Sequence, residues 1–452
     1  MTLTPEEIYN KYRNKNLDRP KAIENITSLI EKSEKQSLRY EAIKVINKMR
    51  INSQEIYNLL ENILISDSSE KLRKLASQTI FKIFKEDSLE PLKWALNHDS
   101  NISCLLVIYH NIISILELLH SKNNNQSREK LIHEIEGIER KEFSIGIDII
   151  NKNKGLTNLD STQLNSILKN YYTLIYLEKA YWRIKCEVTD LKITNVDFLF
   201  KGLTKFPSAL KNLLNLKKII FRYNQIKKIP KWIGNLKELR IINFNVNEIN
   251  EIPESFGNLK NLRELHLWKN NLTILPASIG GLQSLEILNL RLNYLRKLPS
   301  SICNLSNLKE LNLHDNQLNF LPDKIGSLSN TEKINLSWNL IETLPDSISN
   351  LKELKYFDLA KNELISLPHS FFNLDNLEYL DLSENNLKTL PLQIEKLKKL
   401  KYLNLSRNEL SDVPISIPDL QHLEELYLNE NNIDLLSNSI KKLENKGVKV
   451  FI

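Results

Sequence analysis

From about residue 190 onward the apolar positions keep a fixed beat. In "LHLWKNNLTILP", residues 265–276, leucines alternate with polar residues and then spread apart. The set Leu262, Leu265, Leu267, Asn270, Leu272, Leu275, Pro276 returns as Leu285, Leu288, Leu290, Asn293, Leu295, Leu298, Pro299, and again as Leu308, Leu311, Leu313, Asn316, Leu318, Leu321, Pro322. The step is 23 residues, and copies begin at 193, 216, 239, 262, 285, 308, 331, 354, 377, 400 and 423 without an insertion. The alternating x-L-x-L portion predicts a short strand whose leucines face inward. The column Asn224 to Asn431 falls where the chain leaves each strand, so its amides are placed to satisfy turn backbone and tie coil to coil. The proline fixes φ and lacks a donor, which suits an outer turn. One such unit cannot bury its own leucines, whereas a stack shares one continuous core.

The ends depart from the pattern. In the first copy Lys201 replaces Asn, with Ile193, Val196 and Phe198 in the strand slots; a rival register uses Val188, Leu191 and Ile193, and the sequence leaves both open. In the last copy Ser437 replaces Pro, and "GVKVFI", 447–452, predicts a strand that covers the end of the array.

Residues 1–120 follow a helical period instead. Leu38, Ala42, Ile46 and Met49 in "SLRYEAIKVINKM" match Leu72, Ala76, Ile80 and Ile83 in "KLRKLASQTIFKI" at an offset of 34, and Arg39 maps onto Arg73. "SQEIYNLLENILI" and "SLEPLKWALNHD" read as the partner helices, with Asp67 and Asp99 as helix N-cap punctuation. In 121–187, "SKNNNQSRE" reads as a loop, while "LIHEIEGIERKEF" and "DSTQLNSILKNYYTLIYLEKAYW" read as helices that cap the first repeat.

Two resemblances follow. The unit LxxLxLxxNxLxxLPxxIxxL resembles the 23-residue leucine-rich repeats of the Ras-binding, Scribble and Erbin group and of prokaryotic leucine-rich repeat proteins. That resemblance implies an α/β solenoid, a horseshoe with parallel strands on its concave face and 3₁₀ or irregular segments outside, which binds proteins on that face. The paired helices with an L-R-x-x-A motif resemble HEAT repeats; the offset alone fits tetratricopeptide repeats equally, but their Trp/Gly/Tyr signature is missing. The expected organisation is an all-α HEAT-like domain (1–120), a linker with a helical cap (121–187), and a leucine-rich repeat domain (188–452).

Composition narrows the function. Net charge is +7, divided as 29 basic against 27 acidic residues over 1–200 and 33 against 28 over 201–452. No Lys/Arg block stands out, so nucleic acid is not the expected partner. Cys104, Cys186 and Cys303 lie far apart, which excludes a disulfide scaffold or zinc cluster and fits a reducing compartment. The start "MTLTPEEIYNKYRNKN" lacks a signal peptide's apolar core, and His110, Asn111 and Glu117 interrupt the apolar run 102–119, predicting a buried helix without membrane insertion and a cytoplasmic protein. There is no phosphate-loop motif in a chain with ten glycines, and no kinase, G-x-S-x-G or H-E-x-x-H signature. No cofactor or metal is expected.

The outward positions of the predicted strands carry the candidate site. Arg222, Tyr223, Asn245, His266, Trp268, Lys269, Arg291, His314 and Trp338 fall in copies two to seven, and later copies hold smaller or charged groups in the same slots. Trp, Tyr and Arg dominate binding hot spots, and exposed aromatics otherwise carry an aggregation cost. The expected function is a non-enzymatic scaffold or regulator in signalling that binds a protein partner on the concave face; the family resemblance extends this to a small GTPase or its complex. The alternative is an effector enzyme, such as a ubiquitin ligase, that uses the repeats for substrate recognition. The oligomeric state is left open.

Overall fold

The computed structural model describes residues 3–153, 155–433 and 438–452, so Ser437 lies outside the described residues. The chain forms two compact units, Met1–Ile193 and Thr194–Ile452.

The first unit contains α1 (Pro5–Arg13), α2 (Arg19–Lys32), α3 (Gln36–Met49), α4 (Gln54–Ser66), α5 (Glu70–Phe84), α6 (Leu89–His98), α7 (Ile102–Lys122), α8 (Asn125–Glu136), α9 (Lys141–Asn153) and α10 (Ser161–Ala180). The 34-residue offset has a structural counterpart. Arg39 on α3 pairs with Asp67 after α4, and Arg73 on α5 forks onto Asp99 after α6 at 2.8 and 3.0 Å. Each aspartate also accepts the N–H two residues on, from Ser69 and Asn101, both at 2.8 Å. Asp67 and Asp99 are therefore C-terminal caps that pin a turn and hold a guanidinium; the N-caps of α5 and α7 are Ser69 and Asn101. The expected loop at "SKNNNQSRE" shrinks to two residues. Asn123 takes the left-handed conformation that ends α7, and Asn124 caps α8 by accepting from Ser127 N–H. Polarity suggested a loop because capping residues and loop residues are the same types.

Helix α7 is long and apolar enough to cross a membrane. Its apolar positions Leu105, Ile108, Ile112 and Leu116 are buried within the helical unit. Its polar interruptions are used there: Asn111 donates to the Ser77 carbonyl and hydroxyl at 2.9 Å, and Tyr109 stacks on Tyr176 and meets the Thr173 hydroxyl at 3.0 Å.

The repeats supply a 13-stranded sheet in sequence order. Strand β1 (Lys185–Thr189) leads to β2 (Lys192–Asp197) through Asp190 and Leu191, both at positive φ, the geometry of a two-residue hairpin turn. Strands of three residues then recur every 23, from β3 (Lys218–Ile220) to β12 (Glu425–Tyr427), each parallel to the last. Helix α11 (Asn438–Asn445) precedes β13 (Lys449–Phe451), which pairs with β12 as the sequence suggests. The first-copy register is also settled: Val196 pairs with Ile219, and Ile193, Val196 and Phe198 are buried. Outside the sheet, 3₁₀ turns such as Ala277–Gly281 follow each proline.

One element carried no sequence signal. The residue before each ladder position lies at φ between +53° and +58° in every copy, from Phe200 before Lys201 to Glu430 before Asn431, although none of them is glycine. For an L-residue this costs about 1–2 kcal/mol. The turn aims the next side chain into the core, where its amide is fully engaged. Asn316 donates to the carbonyls of Leu290 (3.1 Å), Leu313 (3.0 Å) and His314 (3.4 Å), and accepts from Leu295 N–H (3.0 Å). The same four contacts recur at Asn270 and Asn362.

Two predictions follow from this ladder. Asn316→Ala strands the buried Leu295 N–H and removes one donor from each of the buried Leu290 and Leu313 carbonyls, while the His314 carbonyl keeps the Leu292 N–H, and it should lower stability by about 2–4 kcal/mol. Asn431→Ala, at the part-buried end of the array, should cost roughly half as much. Urea unfolding of the full chain measures both, and equal small losses would contradict the ladder's role. Val246 is β-branched and held at φ +57°; Val246→Asn should raise stability by about 1 kcal/mol in the same assay, because asparagine tolerates the left-handed region.

Candidate functional site

Four outward columns cover the strand face. In the copy around β5 (Glu264–His266) they are Glu264, His266, Trp268 and Lys269. The second column is mostly Asn or Asp for a backbone reason. Asn243, Asn289, Asn312, Asn335, Asp358, Asp381 and Asn404 each accept the N–H two residues further on, at 2.9–3.2 Å. His266 breaks this column. Asn245 of the preceding copy accepts the Trp268 N–H instead, at 2.8 Å. Asn245 is buried, so its role is to fasten the Trp268 backbone, and the structure removes it from the surface available to a partner. His266 turns to Glu264, Nε2 to Oε2 3.2 Å.

The remaining predicted residues form two groups separated by the Asn245 copy. In the first, Tyr223 stacks on Phe200 with ring centroids 4.4 Å apart, and Arg222 lies 5.5 Å from the Tyr223 ring. The second begins at Trp268, which is half-buried, outside the leucine core, and has the Arg291 guanidinium 5.9 Å from its ring. Its indole Nε1 is buried without a hydrogen-bond partner. Lys269 beside it is exposed. His314 bonds the Ser337 hydroxyl through Nδ1 at 2.7 Å and meets Trp338 edge-on at 6.4 Å. Burial, and then the Arg291 charge, push the His314 imidazole below its ordinary range, so it is neutral at pH 7. Trp338 is 50% exposed and carries Lys361 Nζ 3.8 Å from its ring centre. Lys361 was absent from the predicted set. Three cation–aromatic pairs thus line this half of the face, each worth about 0.5–1 kcal/mol in the open.

The other half of the face holds a site that the sequence reading missed. Tyr356, Tyr379 and Tyr402 stack in the first column at 4.3 and 4.4 Å, with their planes within 10° and 5°. They stand on β9 (Tyr356–Asp358), β10 (Tyr379–Asp381) and β11 (Tyr402–Asn404). The signal was present as "YFD", "YLD" and "YLN", one position before the inward residue. The slots after that residue hold only small or charged groups in these copies. Asp358 and Asp381 sit two residues on. Burial, with help from Asp381, pushes the Asp358 carboxyl above the usual carboxylate range, and burial raises the Tyr379 phenol most of all. Beyond this column, ion pairs such as Glu286–Lys309, Glu332–Lys355 and Glu378–Lys401 (2.7–2.8 Å) run along the array. These are exposed and add little stability. Among the described residues, no group of three or more His, Cys, Asp or Glu is placed to hold a metal ion.

Comparison with known proteins agrees with this architecture. The family model described as "Leucine-rich repeat region" matches residues 255–343, and the one described as "Leucine rich repeat" matches 215–272, 358–410 and 393–433. No curated protein matched the chain. Among solved structures, a leucine-rich repeat protein of Leptospira interrogans is 31% identical over 61% of this chain and 74% of its own, with a TM-score of 0.56. A TDR receptor is 28% identical over 57% of this chain, with a TM-score of 0.53, and the match spans 47% of the receptor. With the 23-residue step, the parallel sheet and the asparagine ladder in place, the chain belongs to the leucine-rich repeat proteins.

Proposed function

We propose that this chain is a non-enzymatic, cytoplasmic scaffold or regulator that holds a protein partner on the strand face of its repeats. A general protein-interaction role follows from the repeats themselves. The observation that carries the specific reading is the run of cation–aromatic pairs at Tyr223, Trp268 and Trp338, with one indole half exposed. The turns that the asparagine ladder fixes after each strand present these side chains with little further ordering required on binding. The resemblance to the Ras-binding group makes a small GTPase or its complex the first partner to test.

Affinity purification with mass spectrometry identifies the partner, and Trp268→Ala with Arg291→Ala then tests the face. Recovery should fall at least about tenfold, the effect of losing roughly 1.4 kcal/mol or more. Ser300→Ala, on an outer turn, should leave recovery unchanged. Undiminished capture by a folded double variant would remove the strand face from the interaction.

The enzyme alternative requires an activated thiol. Burial pushes Cys104 up to about 11 and Cys186 up to about 12, and raises Cys303 as well. Raised values leave little thiolate at neutral pH. Disulfide-exchange labelling at pH 7.5 should therefore be slow at all three sites and become complete only on unfolding. One thiol reacting faster than free glutathione would turn the reading toward a thioester-forming ligase.

A further inference from the structure

The geometry points to a second docking subsite on the strand face, over β8 (Lys333–Asn335) to β11, which takes an extended partner segment bearing a cationic side chain, arginine or lysine. This rests on the reading that the strand face binds protein. The subsite consists of the Tyr356, Tyr379 and Tyr402 stack and the Asp358 and Asp381 carboxylates.

The charge is the first argument. The backbone cap at this column needs only a carbonyl oxygen, and asparagine supplies it at Asn289, Asn312, Asn335 and Asn404. The fold does not require carboxylates at 358 and 381. They lie on neighbouring paired strands, about 4.8 Å apart at the backbone. Their partners are neutral. Asp358 accepts from Asn335 Nδ2 (3.0 Å) and Ala360 N–H (3.1 Å). Asp381 accepts from Asn404 Nδ2 (3.1 Å), Ser383 N–H (2.9 Å) and the Ser383 hydroxyl (2.6 Å). Among the described residues neither carboxylate has an ion-pair partner within 4.0 Å. Two adjacent like charges without a counterion destabilise each other, and a guanidinium or ammonium seated between them relieves that cost.

The surroundings fit the same occupant. Lys333 Nζ already lies 4.9 Å from the Tyr356 ring, at the end of the stack that faces β8. Lys361 is engaged by Trp338 and by Glu384 at 3.3 Å, so neither lysine neutralises the aspartates. The column beyond the aspartates is Ser337, Ala360, Ser383 and Ser406, all small, and both aspartates remain partly exposed. The tyrosines are stacked before any ligand arrives, so an apolar residue flanking the cation meets an ordered wall of ring edges and hydroxyls. An acidic segment is repelled. The net charge of +7 opposes bulk attraction of cationic peptides, so their binding reports on the local pair.

The test uses fluorescence anisotropy on the full chain with two labelled nonapeptides of leucine and serine. One carries two central arginines and the other two central glutamates. The arginine peptide should bind and the glutamate peptide should not. Asp358→Asn with Asp381→Asn should weaken binding at least tenfold. That variant retains the fold, because asparagine already makes this cap in neighbouring copies, and circular dichroism checks it. Tyr379→Ala should weaken binding severalfold, and Trp268→Ala with Arg291→Ala should leave it unchanged. Equal affinity for both peptides, no binding of the arginine peptide, or undiminished binding by the folded aspartate variant each overturns the subsite. If the subsite fails while partner capture still depends on Trp268 and Arg291, only this inference is lost.

Discussion

A buried backbone amide without a partner costs about 1–3 kcal/mol, as much as burying a leucine returns, and each turn of this coil leaves several such groups facing its core. The ladder asparagine answers that demand. Its amide reaches three carbonyls and one N–H across two successive copies, as at Asn316. To aim it inward, the preceding residue enters the left-handed region, and valine, tryptophan and leucine all do so. A penalty of about 1–2 kcal/mol is accepted in each copy because four buried hydrogen bonds depend on the turn. The 23-residue step cannot drift without breaking those bonds, and this keeps the outward columns in register.

That same constraint decides what was legible in the sequence. The period, the inward leucines, the asparagine column and the terminal strand 449–451 all follow from burial, which leaves a composition signal at each position. The left-handed column does not, because a backbone angle imposed by the neighbouring asparagine places no demand on the side chain that carries it. For this reason Lys269 and Trp338 looked like ordinary strand residues and occupy turns instead. Asn245 was misread for a related reason. The sequence marks it as outward, but the break in the cap column at His266 draws its oxygen to the Trp268 N–H. Asp67 and Asp99 show the same limit in the helical unit, where their arginine partners are 28 and 26 residues away.

The strand face is therefore a set of columns whose backbone tasks and surface tasks can be separated. In the cap column Asn and Asp do the same structural work, but only Asp changes the field. In the first column, Glu264 and Lys333 give way to three tyrosines, and the face changes from cation–aromatic pairs to an aromatic wall over carboxylates. The two regions differ in sign: Arg222, Lys269 and Arg291 favour an acidic contact, whereas Asp358 and Asp381 favour a basic one. A partner that spans both would present charges of opposite sign at a fixed separation, which is a stronger source of specificity than either region alone.

The exception at His266 ties the scaffold to the site. A histidine at that position does not take the N–H two residues on, so the Trp268 amide bonds to Asn245, one strand back. Trp268 is thereby fastened to a neighbouring copy through its own backbone. Its ring is held beneath Arg291, and rotamer freedom that would otherwise be lost on binding is already reduced in the free protein. A hot-spot side chain on a flexible loop lacks this advantage. Replacing His266 by Asn would restore the regular cap and compete with Asn245 for the same N–H, which alters the presentation of Trp268 without touching the indole. The break in the cap column at His266 thus sets how the Trp268 backbone is held.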